Sequence, residues 1–121
     1  MSKDIKHRLS RLHEADIASW FDGTQHVGSG NQYHHQGDGR TGYHGEWDFR
    51  WDCKAAMPGT QSITVTRAMI DKLIEQCHGA RPMLPMRFYD NERGGFNPNH
   101  DLVVLRADDA IALVEFADGV R

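Results

Sequence analysis

The sequence has little that would place the protein in a membrane or outside a cell. No apolar run approaches the roughly 20 residues that a membrane-spanning helix needs, and residues 1–14 lack the apolar segment of a secretory signal. Its two cysteines, Cys53 and Cys77, are too few for a disulfide framework. We therefore expect a cytoplasmic protein with reduced thiols that does not bind membranes.

An excess of positive charge is also lacking. The formal net charge of the 121 residues is −3, which argues against a general nucleic-acid binder, because phosphate affinity usually requires clustered lysine and arginine. The charge is uneven, however, since one acid, Asp4, stands among four N-terminal basic residues, Lys3, Lys6, Arg8 and Arg11. The length and the hydrophobic fraction of 39% predict a single domain, residues 1–121, with a modest core.

The residue patterns predict helices and strands in one domain. Residues 3–21 predict an amphipathic helix capped by Ser2, with Glu14 near the edge of its apolar stripe. A glycine-rich loop, 22–45, follows. Further on we expect a short strand at 62–65 and a helix that Thr66 caps, that runs to about His78 and that Gly79 closes. Strands at 82–89 and 102–105 and a last helix at 109–116, capped by Asp108, complete the order. This order predicts an α/β or α+β fold with a small mixed sheet flanked by helices.

The stretch Glu46–Lys54 alternates like a half-buried strand. Asp52 and Lys54 should therefore point the same way, roughly 7 Å apart along the backbone. The opposite face carries the side chains of Trp47, Phe49, Trp51 and Cys53. We expect the two tryptophans to serve the core or a dimer interface rather than to stack on bases.

Paired carboxylates beside a lysine suggest metal-assisted hydrolysis. Asp38 and Asp52 offer the oxygen ligands that Mg²⁺ prefers, and the carbonyl of Cys53 offers another. Lys54 on the same strand face would orient a water or contact a phosphate. The alternative is an ordinary Asp–Lys ion pair on a solvated strand, because the D-x-K spacing alone is a weak signal.

The motifs occur in a recognisable order: Glu14, Gly-Ser-Gly-Asn at 28–31, Gly37-Asp38, and Asp52-Cys53-Lys54. This order resembles the PD-(D/E)XK nuclease superfamily, and within it the archaeal-type and phage-type Holliday junction resolvases. The later segments 62–65, 66–78 and 82–88 agree with the resemblance, which covers roughly residues 10 to 106.

The resemblance implies a restriction-endonuclease-like fold and hydrolysis of phosphodiester bonds in branched or double-stranded DNA. It implies Mg²⁺ as the cofactor, with Mn²⁺ as an alternative. Lys54 would position or activate the attacking water, and Ser29 would lie near the scissile phosphate. The implied metal ligands are Glu14, Asp38, Asp52 and the carbonyl of Cys53. A homodimer is also implied, because symmetric cutting of a junction needs two sites, and a phage-encoded enzyme would act in the bacterial cytoplasm.

Three features depart from the family pattern. Asp52 stands where the family usually has glutamate, Asp48 or Glu46 is a rival for the role of Asp38, and the net charge is negative. The candidate DNA contacts are Arg8, Arg11, Ser29, Asn31, Arg40 and Arg67. The rival functions are another repair or restriction nuclease of this fold, a non-catalytic DNA-binding accessory protein, and a small metal-binding or interaction domain that does not bind nucleic acid.

Overall fold

A computed structural model of the protein describes residues 2–21, 23–25, 39–41 and 46–119. The helices of this part of the chain are α1 (Lys3–Trp20), α2 (Arg67–Gln76) and α3 (Ala107–Ala117), with a 3-10 turn at Pro98–His100. The strands are β1 (Gly23–Gln25), β2 (Gly39–Thr41), β3 (Phe49–Trp51), β4 (Lys54–Ala56), β5 (Arg81–Phe88) and β6 (Leu102–Leu105). The predicted small mixed sheet flanked by helices is confirmed.

The sheet is built around β5. β1, β2 and β3 form an antiparallel meander, and β6 pairs with β5 in the antiparallel sense. Both β3 and β4 run parallel to β5: Phe49 pairs with Arg81 and Lys54 with Met86, the same offset of 32 residues. β3 and β4 are therefore two parts of one extended segment along a single edge of β5, and β6 occupies the other edge.

A proline explains why this segment is split. The N–H of Asp52 donates to the carbonyl of Met83 at 3.3 Å, and the N–H of Tyr89 donates to Ala56 at 3.0 Å. In this register the carbonyl of Asp52 would accept a bond from residue 85, but Pro85 has no N–H. The prediction of one strand over 46–54 was therefore wrong in its bounds, since the strand begins at Phe49 and is interrupted at Asp52 and Cys53.

The two faces of the sheet carry separate cores. On the side of α1, Ile17 packs against Phe49, Trp51 and Met83, with Trp47 and Cys53 partly buried against them. On the side of α2, the core consists of Leu73, Cys77, Leu84 and Met86. The predicted alternation is confirmed, and both tryptophans serve the core, because Trp51 is fully buried and Trp47 packs edge-on against Phe116.

Two of the three helix starts were predicted correctly, but the third and several other features were not. The hydroxyls of Ser2 and Thr66 accept bonds from Ile5 and Met69, as expected of N-caps, and Gly79 follows α2 with a φ of +92°. Residues 62–65 form no strand, although Ile63 and Val65 pack on the α2 core. The helix α2 ends at Gln76, before the predicted end. The N-cap of α3 is Arg106 and not Asp108. The range 22–45, predicted as a loop, contains the strands β1 and β2.

A buried arginine joins α1 to the sheet. The side chain of Arg87 is only 1% exposed and donates to Asp16 on α1 at 2.7 Å and to Asp101 at 2.9 and 3.0 Å. Its guanidinium also lies 3.7 Å from the ring centre of Phe96. Because the charge is removed from water, it needs compensating carboxylates, and Asp101, whose side chain is 10% exposed, is the more buried of the two.

We predict that Arg87→Met lowers the free energy of unfolding by about 3–5 kcal/mol, because it leaves two carboxylates without their buried cation. Asp16→Asn is the matched control. The side chain of Asp16 is 43% exposed, so its loss should cost about 1 kcal/mol. Urea unfolding followed by circular dichroism measures both values, and equal losses would contradict this account of the cluster.

His13 occupies a core position on α1 that the sequence pattern did not reveal. It is fully buried, and neither ring nitrogen has a hydrogen-bond partner among the described atoms. Burial, followed by the nearby charge of Arg87, lowers the pKa of His13 to about 4. The folded protein therefore keeps this imidazole neutral where the unfolded chain would protonate it.

This difference gives a pH dependence with a definite sign. Between pH 6.5 and about 4 the unfolded chain binds a proton at His13 that the folded chain does not, so the free energy of unfolding falls as the pH falls. The contribution lost across this window is roughly 3 kcal/mol. The free energy of unfolding, measured at several pH values, should change less steeply with pH in His13→Leu than in the native chain. An identical pH dependence in the two proteins would exclude His13 as its source.

Candidate functional site

The candidate site contains the carboxylate of Asp52 and the ammonium of Lys54 on one face of the segment β3–β4. The Nζ of Lys54 lies 3.3 Å from Oδ2 of Asp52, and the two side chains are 37% and 34% exposed. Trp51 and Cys53 point to the other side of the sheet, where they pack in the α1 core. The prediction that Asp52 and Lys54 point the same way is confirmed, and both remain accessible to a ligand.

The backbone between these two residues is also oriented. Since the N–H of Asp52 faces β5, and successive peptide groups of a strand face opposite edges, the carbonyl of Cys53 points away from β5. It points to the edge on which β2 lies, where the described pairing ends at Gly39 and Trp51. A cation at this edge would meet that carbonyl beside the carboxylate of Asp52.

A cavity of about 420 Å³ adjoins Lys54. Lys6 and Ser10 of α1 line one side of it, and Thr60 and Ser62 of the connection to α2 line another. Ser10, Thr60 and Ser62 were not predicted as site residues from the sequence, and Lys6 was noted only as one of the basic N-terminal residues. Their position could have been predicted for α1, because Lys6, Ser10 and Glu14 are spaced four residues apart and therefore lie on one stripe of the helix.

Glu14 therefore belongs to the stripe of α1 that borders this cavity, one turn beyond Ser10. Its side chain is half-buried. The other predicted site residues, Ser29, Asn31 and Asp38, lie outside the described residues.

The two rival carboxylates are already engaged in ion pairs. Asp48 accepts from Arg40 at 3.3 Å, and the carboxylate of Glu46 lies 3.6 Å from Arg81. Asp48 is also four residues before Asp52, which is about 13 Å along an extended chain. These contacts favour structural roles for Asp48 and Glu46 over metal binding beside Lys54.

The predicted DNA contacts fall into two groups. Arg8, Arg11 and Arg67 are exposed, and Arg8 donates to the carbonyl of Glu92. Arg40 is less accessible, because its side chain is 24% exposed in the ion pair with Asp48. The accessible arginines among the predicted contacts therefore lie on α1 and α2 and not on β2.

The donor set suits a hard cation better than zinc. Asp52 and the Cys53 carbonyl offer oxygen, and Mg²⁺ commonly takes one or two carboxylates while keeping several waters. Within the described ranges, no three His, Cys, Asp or Glu side chains are grouped so that they could hold a metal ion. Among the described residues, Asp52 and the Cys53 carbonyl are therefore the oxygen atoms that could contribute to such a site.

Comparison with known proteins gives no match: no family model, curated protein or solved structure is similar to this chain. In the described part of the chain, no helix is both long and apolar enough to cross a membrane. The assignment of a function therefore depends on the residues and their geometry.

We predict that Asp52→Asn weakens binding of Mn²⁺, used as a probe for Mg²⁺, by at least about tenfold, since a carboxylate oxygen is replaced by a neutral amide. Asp48→Asn is the matched control on the same segment and should bind Mn²⁺ like the native chain. Electron paramagnetic resonance of free Mn²⁺ measures both affinities. A larger loss of Mn²⁺ affinity in Asp48→Asn than in Asp52→Asn would show that Asp48, and not Asp52, binds the metal.

Proposed function

We propose that this protein is a metal-dependent endodeoxyribonuclease that hydrolyses phosphodiester bonds in branched DNA, a junction resolvase of the PD-(D/E)XK type. The observation that carries the proposal is the accessible pair of Asp52 and Lys54, 3.3 Å apart at the interruption of the strand. Restriction-endonuclease-like architecture is part of the proposal.

The pairing of β2 with β3 supports Asp38 as the second carboxylate. Gly39 pairs with Trp51. The peptide bond ties Asp38 to Gly39, and Asp52 follows Trp51 directly. Asp38 and Asp52 are thus the chain neighbours of one cross-strand pair, and this supports Asp38 over Asp48 in the proposal.

In this proposal Asp38, Asp52 and the Cys53 carbonyl would hold Mg²⁺, and Glu14 would complete the acidic cluster from α1. When bound, the metal supplies a more acidic water and offsets charge on a phosphoryl oxygen. Lys54 orients the attacking water through its ammonium group and reduces the negative charge that builds on the phosphate. Ser29 would contact the scissile phosphate.

The order of the elements agrees with the resemblance that suggested the function. A helix carrying the glutamate comes first, then a meander of strands that ends in the Asp-Cys-Lys motif, then a helix and a strand parallel to that motif. Exposed basic residues on α1 and α2 would contact the DNA backbone, which positions DNA without reading its sequence. Branched DNA as the substrate and the homodimer rest on the resemblance.

The test is cleavage of a labelled four-way junction beside a linear duplex of the same sequence, with Mg²⁺ or with chelator. We expect paired symmetric nicks in the junction alone, lost with chelator. Asp52→Asn and Lys54→Met should each lower the cleavage rate by at least about a hundredfold, because each removes a group that acts in the transition state.

Two controls separate chemistry from binding and folding. Asp71→Asn removes an exposed carboxylate of α2 and should cut at the native rate, and Asp52→Asn should still bind the junction in a gel-shift assay. Cutting of both substrates would retain the nuclease and reject the junction specificity. Binding without any cutting by the native chain would identify a non-catalytic DNA-binding protein.

A further inference from the structure

The strand β6 is the most unusual surface of the described chain. Its sequence is Leu-Val-Val-Leu, and Leu102, Val103 and Val104 are 49%, 41% and 36% exposed. One edge of β6 pairs with β5, and among the described strands none pairs with the other edge. The strand carries no lysine, proline or bulge of the kind that protects a natural edge from association.

The hydrogen-bonding groups that β6 offers can be assigned. The carbonyl of Met83 faces β3, so the peptide groups of Leu84 and Met86 face β6 and bond with their partners Val104 and Leu102. The N–H and C=O groups of Val103 and Leu105 then point outward from the sheet. The free edge therefore presents two donors and two acceptors within four residues.

Apolar surface continues from this edge on both faces of the sheet. On the side of α2, a small cavity is lined by Val104, Leu105 and Ile70, and Ile70 and Ile74 are themselves exposed. On the side of α1, an apolar groove of about 460 Å³ is lined by Val103, Leu105 and side chains of other elements, including Trp20 and Leu113. A ligand for this edge must offer a strand with apolar surface on both sides.

We infer that β6 is the contact between two copies of this chain, paired antiparallel about a two-fold axis at Val104. The chain itself has the required partner surface, namely an apolar edge strand flanked by apolar surface on each face, and β6 has no charge that would select a charged peptide or repel its own copy. A four-residue strand pair is smaller than the roughly 800 Å² per partner of a stable interface, so the flanking apolar side chains contribute the rest.

The register follows from the available groups. If Val104 lies opposite its own copy, Val103 of each copy pairs with Leu105 of the other. All outward N–H and C=O groups of β6 then form hydrogen bonds. Placing Val103 opposite itself would require a bond from the N–H of Asp101, which already donates to Pro98 at 3.2 Å. The two-fold axis therefore passes beside Val104.

This arrangement leaves the site accessible. β6 and the segment β3–β4 lie on opposite edges of β5, so pairing of the two copies makes one continuous sheet with both Asp52–Lys54 pairs away from the contact. Five strand spacings, about 24 Å, would separate the two pairs across the sheet. The inference concerns the surface and does not depend on whether the chain cleaves DNA.

The experiment is disulfide trapping in a Cys53→Ser background, which removes a partly exposed thiol and keeps the backbone carbonyl. Directly opposed residues of a non-hydrogen-bonded pair have Cα atoms about 4.5 Å apart, within the range of a disulfide. Val104→Cys should therefore form a covalent dimer under mild oxidation, at least about tenfold faster than Val103→Cys, whose copy lies beyond the roughly 7 Å limit.

The mass in solution is measured by light scattering on the same proteins. The native chain should be a dimer and Val103→Lys a folded monomer, whereas Leu12→Lys, at an α1 residue of the same 41% exposure, should remain a dimer. A monomeric native chain overturns the inference. So does a dimer that survives Val103→Lys, or one in which Val103→Cys crosslinks as fast as Val104→Cys.

Discussion

The strand β5 pairs with the segment from Phe49 to Ala56, and the other elements are arranged around this strand. It holds both parts of that segment in a single register, supports β6 on its other edge, and carries Arg87, which binds α1 through Asp16. Proline is uncommon in a central strand because it cannot donate to the ladder. Here Pro85 removes one bond at Asp52, and regular pairing resumes at Lys54, so the interruption of the strand lies at the candidate site.

The ion pairs explain why the net charge is a poor guide to which charged groups are accessible on the surface. Four arginines are bound to carboxylates within the described chain, namely Arg40, Arg81, Arg87 and Arg106. The acids that pair with them contribute to the charge of −3, but each of these carboxylates lies against an arginine. Asp109, for example, is almost fully buried between Arg81 and Arg106. Several exposed basic residues of α1 and α2, such as Arg11 and Arg67, are not among these four arginines.

Much of the local structure could be predicted, because it depends on periodicity and capping. The alternation around Trp51 gave the orientation of Asp52 and Lys54, and Ser2 and Thr66 marked the helix starts. The failures have tertiary causes. His13 is fully buried on α1, whereas its neighbour Leu12 is 41% exposed, and the apolar pattern of the helix did not reveal this. Residues 62–65 have a β-branched sequence, but they pack on α2 without joining the sheet. The strands β1 and β2 are three residues long and contain glycine, so no periodic signal identified them.

In the proposed metal site, Asp52, the Cys53 carbonyl and Asp38 would bind one divalent ion beside Lys54. The most direct measurement is a crystal structure of the protein grown with Mn²⁺, with the ion located by its anomalous scattering. We predict a peak within about 2.5 Å of an oxygen of Asp52 and of the Cys53 carbonyl, with the carboxylate of Asp38 as a further ligand. A peak bound to Asp48 or Glu46 and remote from Lys54, or no peak near Asp52 with Mn²⁺ in excess, would contradict the account.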